Sequence, residues 1–231
     1  MISSSVNRQI GSIFLIVGTE IGAGVLALPI LISHVGVALG TLLLLFAWAL
    51  MLYTALLVCE ANSTLGEGVS FATMAWKFLG KSGKLFLTII FWCTLSTIAM
   101  AYISAAGSTF QSMLHISAWS TSTVFVLIFG VCVVLGTKTV DYVNRILLSL
   151  KLGVFLLAIL LLFNNLSFVN LKIHGAGTAI ISSFPAIITA FILHNIIPSV
   201  RGYLRNDKVA LRRVIIIGSL IPLLLYVFWV I

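Results

Sequence analysis

Long apolar runs dominate the chain, and their length predicts membrane-spanning helices. A helix of ~20 residues, rising about 1.5 Å per residue, crosses the ~30 Å hydrocarbon core of a bilayer. Seven runs reach this length. They lie near residues 10–32, 37–60, 84–112, 120–138, 146–164, 177–200 and 213–231. The pattern therefore predicts an all-α membrane protein with about seven transmembrane helices in a single domain, 1–231.

A shorter stretch, near residues 68–80, has an amphipathic pattern. Phe71, Met74, Ala75 and Phe78 recur at helical spacing. One apolar face on an otherwise polar helix is typical of a helix that lies along the membrane surface. We expect this interfacial helix on the cytoplasmic side, between spans two and three.

Helix-weakening residues interrupt the first span. The stretch Gly18–Pro29 reads GTEIGAGVLALP and places Gly22, Ala23 and Gly24 in the middle of the apolar run. Irregular backbone at this depth is tolerated only where it lines a cavity or is buried in protein. Glu20 is a second signal, because an acidic group inside a span usually faces a pathway or a partner. The segment predicts a binding site at mid-membrane.

The sixth span has a corresponding interruption. Pro185 and Pro198 flank the polar pair His194 and Asn195. Transporters built from inverted repeats commonly pair two discontinuous helices at corresponding positions of their halves. The N–H groups at a half-helix N-terminus suit a carboxylate, while unwound carbonyls suit an ammonium group or a cation. Two broken helices in one protein therefore favour a zwitterion, which means an amino acid.

Composition and charge exclude several other classes of protein. Apolar residues make up 61% of the chain and charged residues 8%, which excludes a soluble domain. Of the 13 Lys and Arg residues, all except Lys172 fall on one side of the predicted topology. Short loops rich in Lys and Arg stay in the cytoplasm, so the N-terminus is predicted to be cytoplasmic. The net charge of +8 thus reflects topology, and we expect no nucleic-acid partner.

The sequence contains no set of residues at the spacing typical of a catalytic or metal-binding site. The four histidines show no such spacing with Cys, Asp or Glu, and the three cysteines fall inside apolar runs. We therefore predict no enzyme activity, no catalytic residues, no metal and no cofactor. A channel is a weaker interpretation as well, because rings of charge and repeated carbonyl motifs are absent from the sequence.

Five blocks recur in the order in which they occur in one known family. They are GTEIGAGVLALP (18–29), WALMLYTALLVCE (48–60), AYISAAG (101–107), LGTKTVDYVNRILLSLK (135–151) and IGSLIPLLLYVFW (217–229). On these blocks the chain resembles the hydroxy and aromatic amino acid permeases of bacteria, closest to the tyrosine-specific permeases, within the amino-acid/polyamine/organocation superfamily.

The resemblance implies a fold and a mode of action. Members of this family have a five-plus-five inverted-repeat fold, usually with eleven spans, and carry an amino acid inward with a proton across the bacterial inner membrane. The chain is then expected to lack the last four spans. Two alternatives follow: a truncated or split permease half that does not transport alone, or a permease completed by a second polypeptide.

The resemblance also implies a set of substrate-binding residues. They are Gly22, Ala23 and Gly24 in span one, Tyr102 and Ser104 in span three, and Phe191, Ile192, His194 and Asn195 in span six. The span-one N–H groups would hold the carboxylate, and span six would meet the amino group and side chain. Ordinary helix packing is an open alternative for the two span-three residues. Tyrosine is the favoured substrate, but Ile192 shortens the pocket and leaves tryptophan, phenylalanine and serine open.

Proton coupling requires a group that changes charge near the site. Glu20, Lys151 and His194 are the three candidates. Each has an alternative role: Glu20 in pairing with backbone N–H groups, Lys151 in reaching toward the cytoplasmic interface, and His194 in binding a free carbonyl of the broken helix.

Overall fold

The computed structural model describes residues 4–22, 24–66, 68–162 and 177–230, and all regular structure in these ranges is helical. The predicted all-α class is confirmed. The helices are α1 Ser4–Glu20, α2 Gly24–Val35, α3 Val37–Ser63, α4 Phe71–Leu114, α5 Ala118–Val134, α6 Thr137–Leu162, α7 Gly177–Thr189, α8 Ile197–Tyr203 and α9 Lys208–Val230. A 3-10 turn, His194–Ile196, precedes α8.

Within the described ranges, four helical segments are long and apolar enough to cross a membrane. They are Val37–Ser63, Phe71–Leu114, Ile180–Tyr203 and Lys208–Val230, and Ala118–Val134 is a shorter apolar helix. Spans one and six each consist of two shorter pieces, α1 with α2 and α7 with α8. The predicted number of seven spans and their limits stay predictions.

Two glycines with positive φ divide neighbouring helical stretches. Gly36 has φ 89° and separates α2 from α3. Gly80 has φ 72° inside α4 and separates its amphipathic beginning from the long apolar remainder. L-residues with side chains rarely adopt this conformation, so glycine is the residue that lets the chain redirect at both points.

Two compact units make up the chain. The first contains residues 1–78 and 159–231, and the second contains residues 79–158. The interpretation as one domain stays a prediction, and each unit is described separately. In the first unit α9 packs against α1, α2 and α3, while α7 packs against α2 and α3. In the second unit, Thr121 of α5 donates a hydrogen bond to the Gly107 carbonyl of α4 at 3.1 Å.

The first unit has two hydrophobic cores, and the broken helices lie at the boundary between them. The first core contains Ile16, Ala55, Cys59, Leu193, Ile197, Val200, Leu204, Ala210, Leu211, Val214 and Ile215. The second core contains Leu28, Ile32, Leu44, Ala47, Ile187, Ala190, Phe191, Leu223, Tyr226 and Val230. Span one passes from the first core at Ile16 to the second core at Leu28. Span six passes from the second core at Phe191 to the first core at Leu193. The interruption of each helix lies within this passage.

Candidate functional site

The break in span one is a tight turn between α1 and α2. The Gly22 N–H donates to the Glu20 carbonyl at 2.7 Å, and the Val25 N–H donates to the Gly22 carbonyl at 3.4 Å. The Gly22 N–H therefore already has a backbone acceptor. Ala23, the second of the three predicted carboxylate-binding positions, lies outside the described residues.

The break in span six is a turn between α7 and the 3-10 turn before α8. The Phe191 N–H donates to the Ile188 carbonyl at 3.1 Å, and the Ile192 N–H donates to the Thr189 carbonyl at 3.4 Å. Phe191 is fully buried, whereas Ile192 is half-buried. The chain thus leaves the helical path for a few residues without leaving the interior of the unit.

The two breaks are in direct contact. A Cβ atom built on Gly24, the first residue of α2, would lie 2.9 Å from the Ala190 Cβ, just beyond α7, and 2.8 Å from the Tyr226 Oη of α9. A side chain at position 24 would therefore collide with both neighbours. The structure brings together the interruptions of spans one and six, which lie far apart in the sequence.

Two side chains of α9 donate hydrogen bonds to the backbone of the span-one break. The Tyr226 hydroxyl donates to the Glu20 carbonyl at 2.8 Å, and the Trp229 Nε1–H donates to the Val25 carbonyl at 2.7 Å. The Tyr226 ring also packs edge-on against the Phe191 ring, with centroids 5.6 Å apart. Tyr226 therefore contacts the interruptions of both broken helices.

Polar side chains at the breaks differ in whether they have hydrogen-bond partners. Glu20 is 2% exposed, and neither carboxyl oxygen has a hydrogen-bond partner among the described residues. The buried Asn195 Oδ1 has no partner there either. The His194 Nε2 lies 2.9 Å from the Thr54 Oγ1 of α3, so a hydrogen bond holds this ring. Among the described residues at the breaks, the Glu20 carboxyl can therefore still bind a ligand or a proton, and the Asn195 Oδ1 can still accept a hydrogen bond from a ligand.

The remaining predicted site residues belong to the second unit. Tyr102 is 41% exposed on α4, and Ser104 is exposed on the same helix. The Ser104 carbonyl accepts a hydrogen bond from the Ser108 hydroxyl at 3.0 Å. Lys151 is half-buried on α6. Their membership of one site with the broken helices stays a prediction that rests on the resemblance.

Several residues that shape the site were not identified from the sequence. Thr54, Tyr226 and Trp229 supply its hydrogen bonds, although two of the resemblance blocks contain them. The sequence signal for two of these residues is a tyrosine and a tryptophan three residues apart in an apolar helix. Their polar tips need partners when the rings are buried.

These features define a class of protein: a multi-pass α-helical membrane protein whose two interrupted helices meet in the interior. The chain matches the tryptophan/tyrosine permease family over residues 5–231 and belongs to that family. The resemblance deduced from the five sequence blocks is confirmed.

Relatives of the chain are named for the transport of different amino acids. It is 37% identical to tyrosine-specific transport system 1 of Haemophilus influenzae, over 96% of this chain and 56% of that protein. It is 32% identical to glutamine transporter 2 of Aliivibrio fischeri, over 96% of this chain and 59% of that protein. It is 30% identical to the tryptophan-specific transport protein of Shigella flexneri, over 95% of this chain and 56% of that protein.

The chain therefore spans about 56–59% of the length of these relatives. All of them are named as transport proteins and none as an enzyme, which agrees with the expectation from the sequence. No solved structure matches the chain.

Proposed function

We propose that the protein takes part in the transport of an aromatic amino acid, with tyrosine as the favoured substrate. The contact between the two broken helices is the observation that carries this proposal. It places backbone that departs from helical geometry near the Glu20 carboxyl oxygens and the Asn195 Oδ1, buried atoms that have no hydrogen-bond partner among the described residues. Such an arrangement suits a small zwitterion in an otherwise apolar interior.

The substrate would lie between the start of α2 and the turn of span six. The N–H groups in the first turn of α2, beginning at Gly24 and apart from that of Val25, which donates to the Gly22 carbonyl, would bind the carboxylate, because a helix N-terminus carries partial positive charge. Phe191, Ile192, His194 and Asn195 would meet the amino group and the side chain. Gly22 contributes to this arrangement as the turn that starts the second half-helix.

We further propose that uptake is driven by protons. Glu20 is the foremost coupling residue, because a buried carboxyl group that has no hydrogen-bond partner among the described residues is a position where a proton can bind and be released. His194 and Lys151 remain the other candidates. The excess of Lys and Arg on one side supports a cytoplasmic N-terminus in the bacterial inner membrane. A second polypeptide that completes the permease belongs to the same proposal, since the relatives are longer.

Uptake of labelled tyrosine tests the proposed function. In membrane vesicles from cells that express the protein together with the polypeptide proposed to complete it, uptake is expected to rise several-fold over vesicles without the protein when an inward proton gradient is imposed. A sodium gradient of the same size is expected to have no effect. Excess unlabelled tryptophan, glutamine and serine, added separately, measure the specificity. The absence of saturable uptake in any gradient would contradict the proposal.

Replacing Gly24 with Val is expected to abolish amino-acid binding while the protein still inserts in the membrane. The new side chain would collide with Tyr226 and Ala190, and overpacking of this kind costs about 1–3 kcal/mol of stability. The displaced turn would also misplace the α2 N–H groups. Equilibrium binding of labelled tyrosine to the purified variant is the measurement.

A matched control for Gly24→Val is Gly202→Val in α8, because no atom outside the adjoining residues and backbone of its own helix lies within 4 Å of the Cβ position there. This control should bind tyrosine like the unmodified protein. Equal binding by both variants would remove the start of α2 from the site.

A further inference from the structure

Two backbone carbonyls of span one lie beside its interruption and accept hydrogen bonds from elsewhere in the protein. Glu20 ends α1, and its carbonyl accepts one local hydrogen bond, from the Gly22 N–H at 2.7 Å, which leaves a second lone pair for another donor. The Val25 carbonyl would normally bind the N–H four residues later, but that residue is Pro29, which has no N–H. Glu20 is buried and Val25 is half-buried, and a carbonyl without a donor is costly away from water.

A single face of α9 supplies a donor for each of these carbonyls. Tyr226 donates to Glu20 at 2.8 Å, and Trp229 donates to Val25 at 2.7 Å. Residues three apart lie on the same side of a helix, and they differ by about 4.5 Å along its axis. The two donors therefore act on opposite sides of the interruption, one before the turn and one after it.

The position of Tyr226 extends this arrangement to the other broken helix. Its hydroxyl lies 2.8 Å from where a Gly24 Cβ would be, and its ring packs against Phe191. Tyr226 itself is fully buried. It is therefore placed to set the geometry of the break in span one through packing and its hydrogen bond to the backbone.

We propose that Tyr226 and Trp229 are positioning residues for the substrate site: together they hold the span-one break in the geometry that aims the α2 N–H groups at the ligand. This inference rests on the proposed function for the identity of the ligand. Span seven is then a third structural component of the site, in addition to the two broken helices. Neither side chain has to touch the substrate for this role.

Three conservative variants separate positioning from general stability. Tyr226→Phe removes only the hydroxyl, and Trp229→Phe removes the indole N–H with part of the ring. Trp48→Phe is the matched control, because the Trp48 Nε1–H donates to the Ser219 hydroxyl of α9 at 3.2 Å and not to the backbone of either break. All three lose one side-chain hydrogen bond inside the same unit.

Hydrogen exchange and tyrosine affinity are both measured on the protein in lipid nanodiscs. In Tyr226→Phe, Trp229→Phe and the double variant, amides of residues 18–29 are expected to exchange at least ten-fold faster, with Trp48→Phe unchanged in this segment. Each single variant is expected to raise the Kd for tyrosine about five-fold, the factor typical of one net hydrogen bond. The double variant should raise the Kd for tyrosine more than either single variant does. Trp48→Phe should raise this Kd less than two-fold.

The two measurements also distinguish failure of this proposal from failure of the proposed function. Unchanged exchange in residues 18–29 would overturn the positioning role, and so would faster exchange with an unchanged Kd. If the unmodified protein binds no tyrosine, the proposed substrate is wrong, and exchange still decides the structural claim. Faster exchange in Tyr226→Phe and Trp229→Phe, but not in Trp48→Phe, would then support the role of Tyr226 and Trp229 in holding the break.

Discussion

Replacing Arg201 with Met is expected to lower the free energy of unfolding by about 3 kcal/mol, because several charge-assisted hydrogen bonds are lost at once. Arg201 is 6% exposed on α8. Its guanidinium donates to the Asn62 carbonyl, to the Leu65 carbonyl at 2.9 Å and to the Gly66 carbonyl at 3.3 Å. These carbonyls belong to the C-terminal end of α3 and the loop after it, where a cation is favourable.

The expected decrease corresponds to a melting temperature lower by about 6–12 °C, measured by thermal unfolding of the purified protein in detergent. Arg213→Met is the control, because Arg213 is exposed on α9. Arg201→Lys should be intermediate, since a single ammonium group cannot reproduce the planar fork of donors. Equal melting temperatures for Arg201→Met and Arg213→Met would show that this network contributes little.

Replacing Glu20 with Met is expected to change stability and transport in opposite directions. Both carboxyl oxygens are buried without a partner among the described residues, and an unsatisfied buried polar group costs about 1–3 kcal/mol. Removing it should stabilise the fold by a similar amount. Proton-driven tyrosine uptake should nevertheless fall to background, because the proposed proton-binding group is gone. Thermal unfolding and vesicle uptake, measured on the same variant, test the two halves of this prediction.

Ser12→Ala provides a control on the same helix. Ser12 is fully buried on α1, and its hydroxyl oxygen also has no partner among the described residues. This variant should be at least as stable as the unmodified protein and should retain full uptake. Glu20→Gln should lose the response to a proton gradient as well. A Glu20→Met protein that is less stable, with uptake reduced only in proportion to the folded fraction, would identify Glu20 as a structural carboxyl.

Much of the candidate site could be located from the sequence, because its signals are local. Glycines in an apolar run weaken a helix wherever the run is placed, and the structure interrupts span one between Glu20 and Gly24. The polar pair His194 and Asn195 similarly lies where span six leaves its helical path. An acidic residue in such a run is unusual enough to be noticed without any structure.

The function of individual residues was harder to predict, because it depends on partners that are distant in sequence. His194 was considered as a proton carrier, and only the structure shows its hydrogen bond to Thr54, 140 residues away. Gly24 is predicted from the resemblance to bind the substrate carboxylate, whereas the structure also shows Tyr226 and Ala190 filling the space beside it. Packing and ligand binding favour the same small residue here, so sequence alone does not separate them.

The sequence by itself determined the all-α membrane class, the permease family and the two interrupted segments, since each depends on composition, apolar run length or contiguous residues. The tertiary structure alone decided which side chains complete those segments. Tyr226 and Glu20 are 206 residues apart, and Arg201 and Asn62 are 139 apart. Such pairs form because helix packing in the first unit brings buried donors to carbonyls at helix ends that can accept a further hydrogen bond, and no local periodicity specifies which helix supplies the donor.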